Sequence, residues 1–202
     1  MIKIYGIPAS RAFRPLWMLE ELGLEYENVP VSFIGDVKKP DYLKLNPNGR
    51  IPTLDDDGTV IWESLAINLY LAQKYGRGKI WPGSEADQAH TLKWSFWAMT
   101  ELEPPLMKIL MNRAFLPEDQ RQESEAKAGE EAIQRPLSVL EGALEGRDYL
   151  LGSEFTAVDL NVCSVLSILS TFKLLDFSSF PNISGWLAAC TGRPSMGRVF
   201  GR

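Results

Sequence analysis

Residues 46–64, NPNGRIPTLDDDGTVIWES, constrain the fold more tightly than any other stretch of the 202-residue chain. Asn46-Pro47-Asn48-Gly49 is dense in turn-forming residues. Ile51-Pro52 follows at once. Proline has no N–H to give to a β-ladder, so a proline at a strand entrance marks a sheet edge or a special bond. X-Pro is also the only peptide bond for which the cis form is cheap. Thr53-Leu54, then Asp55-Asp56-Asp57-Gly58, then Thr59-Val60-Ile61-Trp62 predict a β-hairpin with an Asp-Gly turn. Glu63-Ser64 next opens an apolar-periodic helix through Leu65, Ile67, Leu69, Tyr70 and Leu71. The first N–H groups of a helix have no helical partner and carry roughly half a positive charge, which attracts a carboxylate. A backbone edge beside a proline and an anion-attracting helix start suit a small peptide.

The N-terminal stretch builds around that unit. Ile2-Lys3-Ile4-Tyr5 predicts a strand ended by Gly6-Ile7-Pro8. A helix through Phe13, Leu16, Trp17, Leu19, Glu20 and Leu22 follows and stops at Gly23. With Ser10 as its N-cap, Pro15 falls at the fifth helical position, where its absent N–H would be missed, so a later start or a distorted first turn is expected. Tyr26 to Val31 reads as a second strand, and Asp41 to Leu45 as one helical turn. The expected order is β-α-β-α-β-β-α. Residues 78–87 form the predicted linker between domains at 1–77 and 88–202.

Beyond the linker the hydrophobic period is helical throughout. Thr91 to Leu116 predicts a long helix, kinked or interrupted at Glu103-Pro104-Pro105. A second, more charged helix is expected over Pro117 to Leu144. In Phe155-Thr156-Ala157-Val158-Asp159-Leu160, Thr156 and Asp159 have capping-box spacing before an almost wholly apolar helix reaching about Thr171. Pro181 to Cys190 reads as a further helix with Trp186 inward, and the tail 191–202 as one short helix at most.

Composition excludes several classes. Net charge is −5, with 8 basic against 10 acidic residues in 1–75 and 13 against 16 in 76–202. Neither part is a nucleic-acid or anionic-membrane surface. No apolar run reaches membrane-spanning length and MIKIYGIP is not a signal peptide, so a cytoplasmic location is expected. The two cysteines, Cys163 and Cys190, are expected to be buried free thiols. His90 is the only histidine, which leaves no metal-site pattern and no basis for a Ser-His-Asp triad.

An α/β half with an X-Pro step before an all-helical half resembles the cytosolic glutathione transferase family, in a bacterial-type, theta-like serine form. The resemblance covers the whole chain. It is carried by Ser10-Arg11, WMLEELGLEYE (17–27), NPNGRIPTL (46–54), Glu63-Ser64 and FTAVD (155–159). It implies a thioredoxin-like N-terminal domain, a helical-bundle C-terminal domain, a homodimer and a detoxifying transferase that uses glutathione as co-substrate without a metal. It further implies that Ile51, before a cis Pro52, pairs its backbone with the cysteinyl part of glutathione, as a peptide adds to a sheet edge. Glu63 and Ser64 are implied to hold the γ-glutamyl group, and Asn48 or Lys39 to help at the glycyl end.

The catalytic task is to make a thiolate. A free thiol has a pKa of about 8.5, and lowering it by about 2 units needs roughly 2.7 kcal/mol of preference for the anion. A hydroxyl donor at a helix N-terminus suits that task. Ser10 is the first choice, Tyr5 the rival, and Arg11 adds positive potential or serves as a surface cation. For a small hydrophobic electrophile the candidate walls are Ile7 and Ala9 with Met99, Glu103, Leu106, Met107 and Leu110, each of which is equally a core position. Glu103 is either a pocket group or surface. A glutathione-dependent reductase or lyase would need a cysteine where Ala9-Ser10 stands. A peroxidase, or a non-catalytic binding protein that kept the fold, is the alternative.

Overall fold

A computed structural model describes residues 1–201. They fall into two compact units, Met1–Gly83 with the residues from Gly192 onward, and Ser84–Thr191.

The first unit runs β1 (Ile2–Tyr5), α1 (Phe13–Leu22), β2 (Tyr26–Val29), α2 (Pro40–Leu45), β3 (Thr53–Asp56), β4 (Thr59–Trp62) and α3 (Ser64–Tyr75), then returns through α9 (Pro194–Phe200) at the end of the chain. Its sheet has the order β2-β1-β3-β4. β1 lies parallel to β2 and antiparallel to β3, which pairs antiparallel with β4. This is the expected thioredoxin-like order. The hairpin turn is Asp57-Gly58, both at positive φ, as a two-residue turn requires for its twist to match the strands. Ile4, Leu54, Ile67, Leu71 and Trp17 are completely buried and form the core of this unit.

Helix α1 resolves the difficulty over Pro15. It begins at Phe13, not directly after Ser10, so Pro15 is its third residue, where an N–H would have no helical partner anyway. Gly23 at φ +66° ends it. The second strand ends at Val29, before Pro30. The tail, expected in the helical domain, instead packs as α9 on α1. Arg193 and Ser195 hold Glu21, and Arg198 Nε donates to Glu20 at 2.9 Å. Burial works against ionisation of Glu21, but the hydrogen bonds from Arg193 and Ser195 outweigh it and keep its carboxyl below the usual range.

The second unit is helical: α4 (Glu85–Trp97), α5 (Glu103–Leu110), α6 (Glu123–Ala143), α7 (Ala157–Thr171) and α8 (Pro181–Thr191). The interruption at Glu103-Pro104-Pro105 takes the form of a π-helical segment, Ala98–Leu102, ending just before Glu103, because neither proline has an N–H to return to the preceding turn. A second π-turn segment covers Met111–Phe115. The charged helix starts at Glu123 rather than Pro117; a short connection precedes it. α7 is capped reciprocally by Thr156 and Asp159 and is almost wholly buried. Cys163 and Cys190 are buried thiols outside any disulfide, and His90 is exposed. Among the described residues no helix is long and apolar enough to cross a membrane, and no group of three or more His, Cys, Asp or Glu side chains is placed to hold a metal ion.

Candidate functional site

The residues singled out in the N-terminal unit lie on three adjoining pieces of chain: the β1–α1 turn, the loop before β3, and the start of α3. Gly6 lets the β1–α1 turn close on itself beside the loop before β3. It sits at φ +148°, and a Cβ there would lie 2.6 Å from the Ala12 side chain and 3.5 Å from that of Ile51. The first approach and the positive φ require glycine; the second is an ordinary contact.

Ser10 opens the turn ahead of α1. Its carbonyl accepts from Phe13 N–H at 3.0 Å. Its hydroxyl accepts from Ala12 N–H at 3.1 Å and donates to the Ile7 carbonyl at 2.7 Å. Ser10 therefore caps the turn rather than the helix itself, and its hydroxyl hydrogen points at Ile7. Arg11 is exposed beside it. Tyr5, at the end of β1, stacks edge-on against Tyr42 with ring centroids 6.3 Å apart, so its ring belongs to the small cluster of Val31, Val37 and Tyr42.

The loop before β3 is braced from beneath by Asn46, legible in the sequence only as a turn residue, and by Tyr42, which no motif singles out. Asn46 is buried and donates Nδ2–H to the Arg50 carbonyl at 2.8 Å and to Thr53 Oγ1 at 3.2 Å. Tyr42 O–H donates to the same Arg50 carbonyl at 2.6 Å and lies 2.9 Å from Thr53 Oγ1. Burial raises the Tyr42 phenol above its ordinary pKa, so it stays a donor. Asn48 is exposed and tied by its backbone N–H to Asn46 Oδ1 at 3.0 Å. The Ile51–Pro52 bond is cis. Lys39, just before α2, is ion-paired with Asp36 at 2.7 Å and remains largely exposed.

At the start of α3, Glu63 adopts φ +74° and ψ 111°, a conformation that costs a non-glycine residue about 1–3 kcal/mol. Glu63 is exposed, whereas Ser64 beside it is buried. Ser64 Oγ accepts from Arg14 Nη1 at 3.2 Å. Arg14 is a further residue missed in the sequence, where it reads only as a cation near the start of α1.

The remaining candidates divide between the units. Ile7 is half-buried and Ala9 exposed in the first. In the second, Met99 and Met107 are half-buried and Leu106 is core. Glu103 is 7 % exposed, which rules out the surface alternative for it.

Residues 1–73 match the glutathione S-transferase N-terminal domain family, and residues 102–194 match its C-terminal domain family. The chain belongs to the glutathione S-transferase family. Its curated relatives include glutathione S-transferase D7 of Drosophila melanogaster, 32 % identical over 92 % of this chain and 82 % of the relative. Glutathione S-transferase GstB of Escherichia coli K12 is 31 % identical over 98 % of this chain and 97 % of the relative. Among solved structures, the theta class glutathione S-transferase of Xanthomonas axonopodis pv. citri with glutathione bound matches with TM-score 0.89 and 30 % identity, covering 98 % of this chain and 95 % of that one. A Burkholderia graminis glutathione transferase with two glutathione molecules bound per subunit matches with TM-score 0.88 and 29 % identity, covering 98 % and 86 %.

Proposed function

We propose that the protein is a glutathione transferase that lowers the pKa of the glutathione thiol and directs the thiolate at small hydrophobic electrophiles. The observation that carries this reading is the start of α3. Glu63 is held in a strained backbone conformation and followed by a buried serine at the first helical position. Strain of that size persists where the surrounding structure enforces it, and such positions cluster at ligand sites. A carboxylate at Glu63 suits the ammonium of a γ-glutamyl group. A hydroxyl and unpaired helix-start N–H groups at Ser64 suit its carboxylate. Ile51, beside Pro52, offers its backbone to the cysteinyl unit in the manner of strand addition. Asn48 and Lys39 serve the glycyl end.

Ser10 is the thiol activator. Its hydroxyl hydrogen swings from the Ile7 carbonyl to the sulfur, and Arg11 adds positive potential. With an activated chloronitrobenzene, the thiolate attacks the carbon that bears chlorine. The C–S bond forms, the C–Cl bond breaks, chloride leaves with the bonding pair, and the thiol proton goes to solvent. Ile7, Ala9, Met99, Glu103, Leu106 and Met107 are the candidate residues for the electrophile. Two copies of the chain form a homodimer, a reading supported by the exposed apolar side chains Leu92 and Phe96 on α4 and Val60 and Trp62 on β4. The working location is the cytoplasm and the role is detoxification.

The test is retention on immobilised glutathione followed by a conjugation assay with the chloronitrobenzene. Retention and turnover support the reading. Retention without turnover leaves a binding protein, and failure of both ends the proposal.

A further inference from the structure

Arg14 is the second residue of α1, one turn past Ser10, yet only 4 % of it is exposed. Its Nη1 donates to Ser64 Oγ at 3.2 Å across 50 positions of sequence. Ser64 is the buried first residue of α3, and α1 and α3 pack against each other. Arginine stays protonated at any physiological pH, and a buried charge is tolerated where it is paired and hydrogen-bonded. The packing therefore sets a permanent cation behind the amino end of α3, where the helix itself is already positive.

The geometry also fixes the direction of the Ser64 hydroxyl. A serine oxygen has one hydrogen and two lone pairs, and guanidinium has donors only. The Nη1–H occupies a lone pair of Oγ, so the hydroxyl hydrogen is turned away from Arg14.

We propose that Arg14 is a positioning residue for glutathione: it holds the Ser64 hydroxyl as a donor to the γ-glutamyl α-carboxylate and adds its own charge behind it. This role rests on the glutathione site proposed above. The start of α1 then serves both ends of the ligand, Ser10 at the thiol and Arg14, through Ser64, at the carboxylate.

The experiment is calorimetric binding of two ligands, glutathione and γ-aminobutyryl-cysteinylglycine, which lacks only the α-carboxylate. Wild type is compared with Arg14→Gln and Arg14→Lys. Arg14→Gln is expected to weaken glutathione about ten-fold or more, the effect of a lost charge-assisted contact, and to leave the analogue within about two-fold. Arg14→Lys keeps the charge and the buried stem and is expected to recover part of the glutathione affinity. Equal losses for both ligands mean a merely structural arginine and overturn the proposal, as does an unchanged affinity for glutathione. Should Arg14→Gln not fold, the same two-ligand contrast is read on Arg14→Lys alone, and its absence there is equally fatal. A wild-type protein that binds neither ligand instead removes the glutathione reading itself, a result visible before any variant is made.

Discussion

Trp186 donates its indole N–H to Asp159 Oδ1 at 3.0 Å, joining α8 to the first turn of α7. The same oxygen accepts from Leu150 N–H at 2.8 Å, while Oδ2 takes Thr156 N–H at 3.0 Å and the Thr156 hydroxyl at 3.1 Å. One buried carboxylate thus satisfies four donors from three segments. Asp159→Ala leaves those donors without a partner and is expected to cost about 3–5 kcal/mol. Asp159→Asn preserves one acceptor oxygen but turns an NH₂ group toward the Thr156 donors, so it should fall between the two. Urea unfolding followed by tryptophan fluorescence measures both, and a loss below about 1 kcal/mol for Asp159→Ala contradicts a central role for this carboxylate.

The Asn46–Tyr42–Thr53 network supports the loop that carries Ile51. Tyr42→Phe removes the hydroxyl that meets the Arg50 carbonyl and Thr53 Oγ1, but Asn46 still donates to both. The expected loss is therefore about 1 kcal/mol. Asn46→Ala should cost more, because it also releases the Asn48 N–H. If Ile51 pairs with glutathione, both variants weaken glutathione binding by more than they weaken the fold. Calorimetric affinity beside a denaturation curve separates the two effects.

The relation between sequence and site is uneven for physical reasons. Local chemistry was readable: the Asp57-Gly58 turn, the Gly23 stop and the Thr156–Asp159 cap each depend on residues a few positions apart. So was the β-α-β-α-β-β-α order, because each element carries its own period. Arg14 and Tyr42 were not readable, and Asn46 was readable only as a turn residue, because the buried polar contacts they make form only after folding. Arg14 meets Ser64 across 50 residues, and no periodicity in either helix encodes that meeting. The two ends of the chain come together in the same way: Trp17 Nε1 donates to Ser195 Oγ at 3.1 Å across 178 residues. A tail rich in Gly and Arg looks loose until its partners Glu20 and Glu21 are placed opposite it. Pro15 announced that α1 would start later than directly after Ser10, and the helix does begin at Phe13.

Glu21 gives that clasp a pH dependence. Its carboxyl is held below the usual glutamate value because hydrogen bonds from Arg193 and Ser195 outweigh the cost of burial. A depressed folded pKa contributes stability that is full above the unfolded value of about 4.3 and is lost as pH falls through the lower folded value. Release of α9 is therefore expected as the solution is acidified below that range. Hydrogen exchange of residues 194–200 against pH should show it. Glu21→Gln should weaken the clasp at neutral pH and flatten this acid-side slope; an unchanged slope in the variant assigns the acid sensitivity elsewhere.

Ser10 carries the chemistry proposed here, and its present hydrogen bond sharpens the expectation. The hydroxyl donates to the Ile7 carbonyl at 2.7 Å, so donating to a sulfur anion means exchanging one acceptor for a charged one, a gain of order 1–2 kcal/mol. Ser10→Ala is expected to lower kcat by about ten-fold or more, with little change in glutathione affinity. The pKa of the bound thiol, followed by the ultraviolet absorbance of the thiolate against pH, should rise by about one unit. Tyr5→Phe is the control. The Tyr5 ring is held against Tyr42, and removing its hydroxyl should leave the bound thiol pKa where it was. A raised thiol pKa in Tyr5→Phe with none in Ser10→Ala transfers the activating role from the turn before α1 to the end of β1.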